Sequence, residues 1–394
     1  MTNNVEEGKK IRLCIVVTVP ISIIYFNGKQ IDFLTDKGFD VTIITSPDKK
    51  IEQFISKNAH LLYAPLTRAV SPIKDFFALI KVFNHIRKGA FDIVQYSSPK
   101  AALLASMAAW ICRVRVRLYL MWGLYYVGQK GFKRLFLKLL EKIVCFFSSH
   151  VSPDSNGNLR FAAEEGLCPI SKMSVVGNGS ANGVDLERFH PQRLQSKGEA
   201  IRNHLCIPKD ALVLGFVGRL RRDKGTNELV QAFMGLKEKD RKLYLLLVGP
   251  QENTRFEYEP EVYTALFQEE RIILVGYQEC PEYYMAAMDI FVSPSHREGF
   301  GVASIEASAM GLPVISTNIP GPCDAVLNNK TGILVSVNAV LKLQKAIETL
   351  VTDLLLRQSM GQAGMQWAKN FEQKLLWDKI FIHRISLLQE SQIK

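Results

Sequence analysis

Short apolar runs rich in β-branched residues recur between helix-like stretches along the whole chain, and this alternation constrains the fold more than any other feature. The runs are Arg12–Thr18, Phe39–Thr45, His60–Tyr63, Phe91–Tyr96, Arg115–Met121, His150–Pro153 and Met173–Val176. Runs that are apolar throughout, and not only at every second residue, belong to strands buried on both faces. With helices between them they build a parallel, doubly wound sheet. After a polar, irregular stretch at Asn182–Ala200 the pattern starts again at Leu212–Val217, Lys242–Val248, Ile272–Val275, Ile290–Ser293, Val314–Ser316 and Gly332–Val335. The fold class is therefore α/β, with two Rossmann-like domains. The carboxyl ends of their sheets are expected to border a cleft, the usual place for a ligand.

The length of 394 residues agrees with two cores rather than one. Seven scattered cysteines without a Cys-x-x-Cys speak against a disulfide framework or a cysteine metal site, and suggest a reducing compartment. The longest apolar stretch, Ala101–Cys112, is too short to cross a bilayer and reads as a buried helix. The first ten residues run into a strand without the apolar core of a leader, so a cytoplasmic location is expected. Charge is uneven: residues 1–200 hold 27 Lys and Arg against 16 Asp and Glu, whereas the remainder holds 22 against 22. A basic first half suits nucleic acid, anionic lipid or phosphorylated substrates equally.

Two segments of the second half carry chemistry. In Ser293–Ser316 a strand ends, a loop presents His296, Arg297, Glu298, Gly299, Phe300 and Gly301, and a helix starts near Val302 and stops at Gly311. Gly299 and Gly301 let backbone N–H groups at the helix start approach an anion. Glu298 then stands at the mouth of the site and Glu306 two turns along the helix. The Glu-x7-Glu spacing means nothing alone, since Glu261 and Glu269 share it. A plain helix-end charge and a surface glutamate would look similar locally. In Leu214–Leu229 a strand leads into Gly218, Arg219, Lys224 and Gly225 before a helix. Arg219 as a planar fork and Lys224 as a point charge suit a diphosphate, although a solvated basic turn would also contain Arg221 and Arg222.

Taken together, these residues resemble the retaining, nucleotide-sugar-dependent glycosyltransferases of family 4, which have the GT-B fold. The resemblance rests on Gly218-Arg219, Lys224-Gly225, Val248-Gly249, Ser293–Gly301, Glu306 and Gly311–Ile315, and covers most of the second half. Ser295–Gly301 and Ile319–Val326 are closest in flavour to enzymes assembling capsule or O-antigen repeat units. Asn182–Phe189 looks like the family's interdomain segment, giving an acceptor domain at residues 1–190, a nucleotide-sugar domain at 191–371, and a terminal helix at 372–394 that packs back on the first domain. The resemblance implies a UDP-sugar donor, with Gly218, Gly299, Phe300, Gly301 and Glu306 binding it. It implies that Glu306 takes the ribose hydroxyls, that Glu298 holds the sugar, and that Arg219 and Lys224 stabilise the leaving diphosphate. The chain contains no Asp-x-Asp, so no metal or other cofactor is expected. There are departures too. Asp324 stands in Gly321-Pro-Cys-Asp324 where the family carries Gly-Gly-x-x-Glu, and Val19–Gly28 replaces the family's glycine-rich N-terminal loop.

The acceptor expected from the resemblance is a saccharide linked to a polyprenyl diphosphate, receiving a hexose or N-acetylhexosamine. In Phe132–Phe147 the cations Arg134, Lys138 and Lys142 form one stripe beside Leu135, Leu139, Ile143 and Phe146. Such a helix lies in a membrane surface or packs on its own sheet, and the pattern allows both. Peripheral attachment to the inner face of a membrane is the expectation. The alternatives are a GT-B sugar-nucleotide epimerase and a non-enzymatic polyanion-binding protein. Nucleic acid is disfavoured as a partner because no helix-turn-helix, zinc-finger or RNP-like motif occurs.

Overall fold

The computed structural model describes residues 10–20, 23, 28–48, 59–67, 69, 71–237, 242–251 and 257–393. Residues 1–9, and 21–22 and 24–27 within the unusual Val19–Gly28 segment, lie outside the described residues. The chain divides into two compact units. One comprises Met1–Asp154, Asn158–Gly177 and Leu375–Lys394, the other Ser155–Gly157 and Asn178–Lys374.

The first unit contains β1 (Ile11–Val16), α1 (Gly28–Asp36), β2 (Phe39–Thr45), β3 (His60–Tyr63), α2 (Pro72–Gly89), β4 (Ile93–Tyr96), α3 (Pro99–Ile111), β5 (Val116–Met121), α4 (Gly131–Phe147) and β6 (His150–Pro153). All six strands are parallel, in the order β3-β2-β1-β4-β5-β6. The continuous apolar character of β1 has a direct structural reason. Leu13 and Ile15 enter one core layer while Cys14 and Val16 enter the other, so both faces of the strand are buried. The expected seventh strand at Met173–Val176 does not form. Met173 makes only an isolated bridge to Val151, and Gly177, in the left-handed region at φ 60°, turns the chain away.

After α5 (Asn156–Glu164) and α6 (Pro191–His204), the second unit contains β7 (Leu212–Val217), α7 (Thr226–Lys237), β8 (Leu243–Val248), α8 (Pro260–Gln268), β9 (Ile272–Gly276), α9 (Pro281–Met285), β10 (Ile290–Ser293), α10 (Val302–Ala309), β11 (Val314–Thr317), α11 (Pro322–Ala325), β12 (Gly332–Val335), α12 (Val340–Thr352) and α13 (Leu354–Ala368). Its sheet runs β12-β11-β10-β7-β8-β9, the order of the first sheet when strands are counted from each unit's own start. Strand order reverses between β1 and β4 and again between β7 and β10, and a doubly wound sheet offers its ligand crevice at such a reversal. Asn182–Phe189, read from sequence as the interdomain segment, is part of the second unit. There the Val184 N–H donates to Phe371 O at 2.8 Å and Phe189 is buried in the core.

The terminal helix α14 (Gln373–Ile393) belongs to the first unit from Leu375 onward. Phe381 meets Phe39 edge-on at 5.8 Å and Trp377 meets Phe33 at 5.7 Å. Arg384, 1 % exposed, donates from Nε to Gln95 Oε1 at 3.2 Å.

The surface of α4 is unusual. Glu141, Val144 and Cys145 face the sheet, where Glu141 accepts from the Tyr119 hydroxyl at 2.8 Å. Phe132 and Phe146 are 81 % and 73 % exposed, and Leu135, Phe136 and Leu139 are exposed with them. Of the three stripe cations, Arg134 and Lys138 turn to Glu165, at 3.3 and 2.5 Å, while Lys142 is exposed. The Ala-rich α3 packs between α2 and α4. An open groove of about 680 Å³ beside α4 is lined by Leu103, Met107, Leu140, Lys142, Ile143 and Phe146, among others. Among the described residues no helix is long and apolar enough to cross a membrane.

Candidate active site

The loops after β7 and β10 meet at the reversal point of the second sheet. Beyond β7 the chain passes through Gly218 and the exposed Arg219. It is then tied down by the Leu220 N–H to Pro250 O at 3.0 Å and by the Tyr258 hydroxyl to Leu220 O at 2.8 Å. A tight turn over Arg222–Lys224 ends at Gly225, whose φ is 74°. A Cβ at Gly225 would stand 2.1 Å from Pro294 O, so only glycine allows the two loops to touch there.

Contacts between the loops place the ionisable groups. Lys224 Nζ donates to Glu298 Oε1 at 2.5 Å, and Ser295 Oγ donates to the same oxygen at 3.0 Å. Arg297 Nη2 donates to Asp223 Oδ2 at 2.7 Å, the His296 N–H donates to Asp223 O at 3.0 Å, and His296 Nε2 lies 2.8 Å from Glu228 Oε1. Burial works to raise the Glu228 carboxyl, but the hydrogen bonds from His296 and the backbone outweigh it and hold its pKa below the ordinary value.

Helix α10 starts at Gly301, whose φ of 90° turns the chain into the first helical turn. The N–H groups of that turn have no partner within the helix and carry the positive end of its dipole. Ser304, 1 % exposed, lies in this turn, and its Oγ makes no hydrogen bond among the described residues. Gly321 packs so closely under Gly299 that a Cβ on it would stand 2.0 Å from Gly299 O. Asp324 accepts from the Gly157 N–H at 2.6 Å, so the shorter carboxylate in the position of the family's glutamate ties down the Ser155–Gly157 segment.

Glu306 is half-buried just over one turn along α10. Burial pushes its pKa up to about 7, opposed by the charge of Arg188 and reinforced by that of Glu282. Arg188 itself is held by Glu282 at 2.8 Å.

Of the residues expected from sequence, Lys224 and Glu298 are bonded directly. Gly218 and Arg219 lie on the same loop as Lys224, and Gly299 and Gly301 lead into α10. Glu306 lies on α10, with Arg188 and Glu282 as charged neighbours. Phe300 is 2 % exposed, with its ring 5.0 Å from that of Phe371, so its side chain belongs to the core and only its backbone is available to a donor. Sequence reasoning passed over Asp223, Glu228, Ser295 and Arg188. The one local signal was an acidic residue, Asp223, inside an otherwise basic turn.

Two Rossmann-like domains in one chain, each with a six-stranded parallel sheet of the same order, make the GT-B fold. A family model described as "Glycosyl transferases group 1" matches residues 198–367, and one described as "Glycosyl transferase 4-like" matches residues 12–152. The chain is 34 % identical over 382 residues to the capsular polysaccharide biosynthesis glycosyltransferase CapM of Staphylococcus aureus, covering 96 % of this chain and 98 % of that one. It is 26 % identical over 335 residues to the UDP-Gal:alpha-D-GlcNAc-diphosphoundecaprenol alpha-1,3-galactosyltransferase of Escherichia coli, covering 83 % and 84 %. Among solved structures, Anabaena HepE in complex with UDP shares the fold with a TM-score of 0.76 at 18 % identity, covering 96 % of this chain and all of that one. The chain belongs to the group 1 glycosyltransferases, with a glycosyltransferase 4-like first domain.

Proposed function

We propose that this chain is a retaining glycosyltransferase that moves a hexose or N-acetylhexosamine from a UDP-sugar to a saccharide carried on polyprenyl diphosphate, in the synthesis of a capsule or O-antigen-type polysaccharide. The observation that carries this reading is the Lys224–Glu298 pair at the β7/β10 reversal, beside the start of α10. It joins a cation suited to a diphosphate with a carboxylate suited to sugar hydroxyls. The relatives add support. CapM is named for capsule synthesis, the E. coli enzyme is named for a UDP-sugar donor and a diphosphoundecaprenol acceptor, and HepE binds UDP.

In the proposed reaction an acceptor hydroxyl attacks the anomeric carbon from the face the nucleotide leaves. The bond from that carbon to the β-phosphate oxygen breaks, its electron pair stays with the phosphate, and a phosphate oxygen takes the hydroxyl proton. Arg219, Lys224 and the N–H groups after Gly299 offset the growing diphosphate charge, so no metal is required. Glu306 receives the ribose hydroxyls, and Glu298 holds the sugar and steadies positive charge on its ring.

The first domain holds the acceptor at the inner face of the membrane, with α4 as the peripheral anchor. Its outward Phe132, Leu135, Phe136, Leu139 and Phe146 suit the boundary between head groups and hydrocarbon. Incubating the protein with a panel of UDP-sugars and membrane lipid extract tests the reading. A mass increase of one hexose or N-acetylhexosamine on a lipid-linked saccharide is expected. UDP release without such a product would sink the acceptor assignment, and absence of both would sink the donor assignment.

A further inference from the structure

We propose that Asp223 and Glu228 are positioning residues that clamp the loop bearing Glu298 onto the segment bearing Lys224. This inference rests on the proposed donor site and deepens it. The starting observation is how little strand pairing lies beneath the two loops. β7 and β10 are in register only at Leu214 with Ile290 and Gly215 with Phe291, so their ladder ends before either loop begins. Beyond that point the loops meet through the Gly225–Pro294 backbone approach, one backbone hydrogen bond from the His296 N–H to Asp223 O, and side-chain contacts.

The Asp223 carboxylate accepts from Arg297 Nη2 on the opposite loop at 2.7 Å, while its backbone carbonyl, which any residue would supply, accepts from the His296 N–H at 3.0 Å. Glu228, one turn further along, faces His296 Nε2 at 2.8 Å. The residues gripped are therefore the two immediately before Glu298, and one of the residues gripping them is the immediate neighbour of Lys224. Both side chains of the Asp223–Arg297 pair are about three-quarters withdrawn from solvent, at 22 % and 25 % exposure, so water screens the contact less than it screens a surface pair. Neither acid touches the Lys224–Glu298 pair. Each acts through the loop, setting where the Glu298 carboxylate stands when a sugar is bound, and displacement of a reacting group by about 1 Å costs on the order of 100-fold in rate.

A purely structural role predicts lower thermal stability with donor kinetics intact, whereas a positioning role predicts loss of turnover with UDP still bound. The readouts are UDP affinity by calorimetry, melting temperature, and kcat and KM for release of UDP from whichever of UDP-glucose, UDP-galactose, UDP-N-acetylglucosamine and UDP-N-acetylgalactosamine turns over fastest. Asp223→Asn should lower kcat about 10- to 100-fold while KM and UDP affinity change less than about threefold. Arg297→Gln, which opens the same contact from the other loop, should reproduce that split, and the double variant should be no worse than either single one. Asp223→Glu should recover part of the rate. Unchanged kcat in both single variants, or losses that multiply in the double, would overturn the clamp. Lys224→Ala and Glu298→Gln are measured alongside. If these also leave UDP release intact, the donor-site reading itself fails, whereas if they abolish it and Asp223→Asn does not, only the clamp is lost.

Discussion

Lys224 Nζ and Glu298 Oε1 lie 2.5 Å apart, so the cation assigned to the diphosphate and the carboxylate assigned to the sugar are each other's partner in this structure. A donor entering between them exchanges one charge-assisted contact for two. Replacing Lys224 by Ala is then expected to weaken UDP binding by about 1.5 to 3 kcal/mol, the usual contribution of a hydrogen bond to a charged group. Glu298→Gln should have the opposite effect on that equilibrium. With its competitor neutral, Lys224 is freer to meet phosphate, and UDP binds at least as tightly as in the wild type while transfer falls by two orders of magnitude or more. Calorimetry with UDP and turnover on both variants test the pairing. Weaker UDP binding in Glu298→Gln contradicts it.

Transfer is expected to persist in excess EDTA, because the proposed mechanism meets the leaving diphosphate with fixed protein cations. Complete loss on chelation, restored by Mn²⁺ or Mg²⁺, is the contrary result. NMR of the product linkage decides whether the anomeric configuration is retained.

A buried glutamate, Glu141, and a half-buried one, Glu306, set a pH dependence of stability. Burial pushes Glu306 up to about 7, with Arg188 opposing and Glu282 assisting. Burial likewise raises Glu141 to about 7, against the hydrogen bond from Tyr119. Both have an ordinary value of 4.5. Between these pH limits the folded chain therefore holds protons that the unfolded chain has released, so stability falls as pH rises through the window and the full loss is present above about 7. Each tenfold difference in proton affinity between folded and unfolded chain is worth about 1.4 kcal/mol, so the loss is on the order of 3 kcal/mol for each group. Glu306→Gln and Glu141→Gln should each gain melting temperature relative to wild type as pH goes from 5 to 8. A difference independent of pH would show that neither carboxyl is raised.

The parts of this fold legible in the sequence are those whose cause is local. The inner strands of the two sheets are buried on both faces and announce themselves as unbroken apolar runs, whereas the edge strands β3 and β9 are only partly buried. Gly301 and Gly311 mark the ends of α10 because both hold left-handed backbone, at φ 90° and 77°. Met173–Val176 shares the composition of a strand without forming one, because pairing depends on where the following turn sends the chain, and Gly177 sends it away. The clamp residues left a single trace, the acidic Asp223 inside an otherwise basic turn, and Glu228 left none. Their partners lie 74 and 68 positions along the chain, and only the return of β10 beside β7 brings them within reach. For α4 the sequence showed a stripe of cations and an apolar face but not their direction. In the structure Glu141, Val144 and Cys145 face the sheet, and Arg134 and Lys138 meet Glu165 on that side.

The direction of α4 changes what membrane attachment should depend on. With Arg134 and Lys138 occupied by Glu165, two of the three stripe cations have a partner already, and the outward surface is apolar. Anionic lipid still helps, since each basic residue near such a surface contributes on the order of 1 kcal/mol and Lys133 and Lys142 are exposed. Salt should therefore release only part of the bound protein, because screening weakens the charge contribution and leaves the apolar one. Vesicle sedimentation separates the two. Replacing Phe132, Phe136 and Phe146 together by Ser is expected to lower binding to anionic vesicles by at least tenfold and to remove the salt-resistant fraction, whereas Arg134→Gln with Lys138→Gln should cost no more than about threefold. If the phenylalanine variant binds like the wild type, α4 is not the anchor. If the charge variant alone abolishes binding, the basic stripe and not the apolar face holds this enzyme to the membrane.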